Sequence, residues 1–86
     1  MRGVVYEHAA AAQADTARAL WPRADDVIAM LEWTLMRDSS AGLPLVEGGS
    51  QRLVVFNGAK SGKLPTVECI FECTSQMITI CDLEFY

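Results

Sequence analysis

An α+β fold is what this chain predicts: an N-terminal strand, a helical hairpin and then a three-stranded antiparallel meander, arranged as a two-layer sandwich. Three observations lead there. The first half holds an alanine-rich run followed by apolar residues at helical spacing. From Gly42 onward, short β-branched and aromatic runs alternate with turn-forming clusters. Helices and strands segregated in that order favour helices packed on one face of a mostly antiparallel sheet.

Val4-Val5-Tyr6 reads as a first short strand. Ala9 through Leu20 is rich in alanine, the strongest helix former, and Pro22 interrupts the helix that follows from it. Asp25 and Asp26 then stand in the first turn of a second helix, where negative charge suits the helix dipole. Ile28, Leu31 and Leu35, with Val27 and Met30 beside them, form one stripe expected to be buried. Arg37 in the last turn and Ser39-Ser40-Ala41-Gly42 after it end the helix. The result is a helical hairpin, or one kinked helix, over residues 9–37. His8 falls at the strand-to-helix junction, where a polar capping role is expected. Trp21 and Trp33 read as core-completing aromatics, with partner-facing anchors as the alternative.

Gly42 to Leu45 and Glu47 to Ser50 read as loop. Arg52 to Phe56 is a strand closed by Asn57-Gly58, and Ala59 to Pro65 is a polar loop holding Lys60 and Lys63. Thr66 to Thr74 and Met77 to Phe85 are the last two strands, joined by Ser75-Gln76 in a tight hairpin. A two-residue turn sets Phe71 opposite Ile80 and Cys73 opposite Ile78. Val67, Cys69, Phe71, Cys73, Ile78 and Ile80 then face the helices, with Glu68 and Glu72 on the other side. A loop one residue longer would turn the second strand over.

Composition excludes several function classes. The chain has 86 residues, with 7 Lys and Arg against 11 Asp and Glu, a formal charge of −4. That is room for one small domain, residues 1–86. At this size folding buries only about 60–65% of the unfolded surface, so a partner or dimer contact adds useful stability. A hydrophobic content of 51% excludes disorder, and the acidic balance argues against tight non-specific nucleic-acid binding. Cys69, Cys73 and Cys81 are an odd set without zinc-site spacing, expected as reduced thiols within the sheet in a reducing, cytoplasmic compartment. No signal-peptide pattern and no apolar run of membrane-spanning length appear, so no membrane association is expected.

Gly58-Ala59-Lys60-Ser61-Gly62-Lys63 superficially matches a phosphate-binding loop. It has three residues between its glycines where four are needed, and Pro65 blocks the helix that should follow. Gly48-Gly49 lacks a surrounding βαβ unit. Asp25-Asp26 and Asp82 with Glu84 are acid pairs without a partner set, the latter a solvated strand edge. One His supports no catalytic triad, and no cofactor or metal is expected.

The element order resembles the RelE/ParE superfamily of small bacterial toxins. So do Trp21-Pro22-Arg23-Ala24-Asp25-Asp26-Val27-Ile28 running into Leu31-Glu32-Trp33, then Arg37-Asp38 leading to Gly42-Leu43-Pro44-Leu45, and the hairpin from Ile70 to Leu83. The resemblance implies a compact αβ toxin fold, an antitoxin that wraps it, and a target that is ribosome-bound mRNA in one branch and DNA gyrase in the other. For the nucleolytic branch it implies cations at the scissile phosphate and a group that moves a proton. The corresponding candidates are Arg52, Lys60, Lys63 and the last residue, Tyr86. Gly48 to Val67 carries these three cations and no acid, an expected local positive patch. Glu68 stands where nucleolytic members often have Arg, and a carboxylate there repels a phosphate. The expectation is therefore a partner-binding, non-nucleolytic member, the alternatives being a ribosome-dependent mRNA endoribonuclease and a non-toxic binding or scaffold domain that forms a homodimer. The ordinary structural readings are solvated loop lysines for Lys60 and Lys63, a cross-strand carboxylate partner for Arg52, and a frayed end for Tyr86.

Overall fold

The computed structural model describes residues 2–38 and 40–86; the side chain of Lys60 also lies outside the description, as does Ser39 in the expected helix stop. Strand β1 (Gly3–Tyr6) leads into helix α1 (His8–Leu20), a short turn and helix α2 (Ala24–Arg37). Then follow β2 (Leu43–Pro44), β3 (Gln51–Phe56), a 3-10 turn at Lys60–Gly62, β4 (Val67–Cys73) and β5 (Met77–Phe85). The five strands make one mixed sheet in the order β1-β5-β4-β3-β2. β1 runs parallel to β5, and the other neighbours are antiparallel. The meander expected from the sequence is therefore present with a strand on each flank. One of these, Leu43–Pro44, was expected as loop; it pairs with Leu53 and Arg52 at the sheet edge, where a proline is tolerated.

Both helices cover one face of the sheet. α1 turns Ala10, Ala14 and Ala17 inward, so the alanine run sets close approach as well as helix propensity. α2 buries Val27, Ile28, Leu31 and Leu35 against Val67, Cys69, Phe71, Ile78, Ile80 and Leu83. Each large side chain in that set contributes roughly 1.5–3 kcal/mol on burial. Met30, expected beside the buried stripe, is 52% exposed, and Trp33 is 51% exposed with Arg37 stacked 5.1 Å from its ring centroid. Both lie on the turn of α2 that faces away from the sheet. His8 is the first residue of α1 and does not cap it; the cap position is Glu7, whose side chain makes no capping bond. Tyr6 at the end of β1 donates to Glu32 of α2 at 2.5 Å, pinning the second helix to the first strand. Burial, then that carboxylate, raises the Tyr6 phenol above its ordinary pKa.

The hairpin register agrees with expectation: Phe71 opposes Ile80 and Cys73 opposes Ile78. At the turn the Thr74 amide donates to the Met77 carbonyl at 2.9 Å, while the Met77 amide donates to the Thr74 hydroxyl at 3.1 Å. Further along, Ile70 opposes Asp82, so Cys81 is an extra, unpaired residue in β5. This bulge changes the strand's parity. Ile78 and Ile80 face inward, and so does Leu83, whereas unbroken alternation would drive Asp82 and Glu84 into the core. All three cysteines are free, with Cys69 buried and Cys73 and Cys81 half-buried. No described helix is long and apolar enough to cross a membrane.

Candidate functional site

The loop after β3 folds back on itself. Ala59 and Leu64 exchange backbone hydrogen bonds of 3.1 and 3.0 Å, and the Gly58 amide donates to the Thr66 hydroxyl at 2.8 Å. A Cβ at Gly58 would sit 2.1 Å from the Leu64 carbonyl oxygen, so only glycine allows this closure. Lys63 takes up the turn with φ of 57°, a left-handed conformation uncommon for a side-chain-bearing residue. Across from it, Trp21-Pro22 forms the corner between the helices, and Arg23 donates both to Asp26 at 2.9 Å and to the Gly62 carbonyl at 3.3 Å. That arginine ties the helical corner to the loop.

Between corner and loop lies a cleft of about 550 Å³ lined by Leu20, Trp21, Pro22, Lys63, Thr66 and Tyr86, among others. Tyr86 is held, not frayed: its amide and carbonyl exchange bonds of 2.9 and 2.7 Å with Thr66. Its hydroxyl donates to the Glu68 carboxylate, and that bond raises the phenol pKa. At neutral pH this tyrosine is a protonated donor committed to an acid.

The structure thus brings Lys63 and Tyr86 into one cleft but places Arg52 elsewhere. Arg52 lies four residues before the end of β3, roughly 13 Å along the strand. Its guanidinium donates to the carbonyls of Ser40 (2.8 Å), Ala41 (3.1 Å) and Gly42 (2.8 Å), fastening the segment that follows α2. The ordinary reading of a cross-strand carboxylate partner is replaced by three backbone acceptors. Accordingly Arg52 and Lys63 do not share one patch. The side chain of Lys60 lies outside the described residues.

Sequence reasoning missed the corner of the helices as a cleft wall, and it missed Gln13. The Gln13 side-chain oxygen accepts from the Leu83 amide at 2.8 Å, beyond the point where β1 stops pairing with β5. No pattern in the sequence marks that glutamine. The other side of the sheet carries Glu68, Glu72, Asp82 and Glu84 among Leu53, Val55, Ile70 and Thr79, and among the described residues no Lys or Arg stands at an outward strand position. Among the described residues no cluster of three His, Cys, Asp or Glu is placed to hold a metal ion. Among the described residues the cleft brings together the Lys63 ammonium, the engaged Tyr86 phenol and the apolar walls of Leu20, Trp21 and Pro22, an arrangement suited to binding.

Comparison with described protein families, curated proteins and solved structures finds no match in any of the three.

Proposed function

We propose that the chain works by binding macromolecular partners, as a RelE/ParE-like toxin-family protein that engages an antitoxin and a target of ribosome or gyrase type without cutting RNA. The observation that carries this reading is the element order, a strand and two helices followed by the two-residue β2 and a three-stranded meander, an order that, with the local segments named above, supports the resemblance. Local geometry supports the non-nucleolytic branch. Arg52 spends its donors on carbonyls, Tyr86 is engaged by Glu68, and the outward sheet face is acidic where an RNA backbone needs cations. A homodimer built sheet to sheet is disfavoured by the same face, which would set carboxylates against carboxylates.

The test is induction in a bacterial host that lacks any partner gene. Growth arrest is expected; normal growth with full soluble expression overturns the reading.

A further inference from the structure

β5 has nine residues, and β1 covers only Met77 to Ile80. The chain leaves the sheet at Glu7, whose amide donates to the Ile80 carbonyl at 2.9 Å, the last backbone-to-backbone bond on that edge among the described residues. Among the described residues no strand lies beside this edge from Cys81 to Phe85. Tyr86 bonds toward Thr66 on the β4 side, so by alternation the peptide groups of Leu83 and Phe85 point to the uncovered side. The Leu83 amide is met there by Gln13, a side chain standing in for a strand.

Beside this edge runs a trough of about 310 Å³ walled by Ala12, Gln13, Thr16 and Ala17 of α1 and by Leu83 to Phe85. It shares Leu20 and Trp21 with the larger cleft, and Leu20 is 72% exposed there. Uncovered edges are templates for another chain, and the proteins that leave them bare usually charge or shorten them. Here the α1 side chains Ala12, Thr16 and Ala17 beside the edge are small, the trough's far end is apolar at Leu20 and Trp21, and the outward strand residues Asp82 and Glu84 are acidic.

We propose that Cys81–Phe85 is a docking edge for an extended segment of a partner protein, which adds as a sixth strand in line with β1. Its alternate side chains are apolar toward α1 and basic toward Asp82 and Glu84. About five residues, roughly 17 Å, complete the edge. Backbone hydrogen bonds supply the attachment and the acidic outer face selects the charge. The proposal rests on the partner-binding reading and specifies its surface.

The probe is an acetylated, amidated hexapeptide of alternating Lys and Val, titrated into the ¹⁵N-labelled full chain. Amide shifts are expected at Leu83, Glu84 and Phe85 and at the Gln13 side-chain NH2. The same peptide with Glu for Lys should bind about tenfold more weakly. N-methylation of alternate peptide amides should abolish binding in the register that places those amides against the edge. Thr16→Trp, an exposed position, should block the trough while leaving the remaining spectrum folded. Gln13→Ala, which removes the internal competitor, should tighten binding about threefold to tenfold. Equal binding of the Glu peptide, retention by peptides methylated in both registers, or shifts confined to other surfaces overturns the proposal. Because this titration reads the edge itself, it stands or falls separately from the growth experiment.

Discussion

Replacing Arg52 by alanine should destabilise the domain by about 2–3 kcal/mol, each of three bonds from a charged donor contributing about 1 after discounting for solvent at the two exposed ones. The loss is conformational as well as pairwise. The clamped segment contains Gly42 at φ of 75°, packed so closely on β3 that a Cβ would sit 2.1 Å from the Leu53 carbonyl oxygen. Freeing it uncouples β2 from the sheet. For a domain of this length the change corresponds to a fall in melting temperature of roughly 10–20 °C. Urea unfolding followed by circular dichroism measures it, with an unchanged slope showing that the native fold is kept. Arg52→Lys should recover part of the loss, since an ammonium cannot span all three acceptors as the planar fork does. A stability within about 0.5 kcal/mol of the parent for Arg52→Ala would refute the clamp and return Arg52 to the pool of free surface cations.

Three further outcomes follow from the same geometry. Tyr6→Phe should cost about 1–2 kcal/mol by leaving the Glu32 carboxylate without its donor, and an unchanged urea midpoint would contradict that pin. Burial pushes the Cys69 thiol up to about 12 from an ordinary 9.0, so folding favours the protonated form. That contribution is complete below pH 9 and is lost as pH rises toward 12, at up to about 1.4 kcal/mol per pH unit, and Cys69→Ala should flatten this slope. A thiol reagent at neutral pH should correspondingly leave Cys69 unlabelled in the native protein and label it in urea. Gly58→Ala should open the loop that shapes the Lys63 cleft, costing about 1–3 kcal/mol, because its Cβ meets backbone and not a movable side chain; an unchanged melt would show the closure to be looser than described.

Much of the architecture was legible because local signals agreed with one another. Pro22 and the charges at both ends of α2 fixed the hairpin, and the short turn fixed the pairing of Phe71 with Ile80. The bulge was not anticipated, since Met77 to Phe85 reads as one regular strand; its signal is the shift of inward apolar residues from Ile78 and Ile80 to Leu83 and Phe85, a break in parity that a regular strand cannot satisfy. β2 was hidden because two residues carry no period. The site was less legible, since it depends on contacts distant in sequence. Arg52 is used by carbonyls ten to twelve residues earlier, and Tyr86 by a carboxylate on the neighbouring strand. Charge counting along the chain placed Arg52 and Lys63 together, whereas the pleat and the length of β3 separate them. Trp33 and Met30 fit the helical pattern and still face outward, because alanines and the α2 aliphatics already fill the space above the sheet.

The central claim, that this chain binds and does not cut, is tested most directly by primer extension on translated transcripts in cells arrested by its induction. Unchanged 5′ ends across those transcripts are predicted. New translation-dependent cleavage sites that disappear in Lys63→Ala would contradict the account.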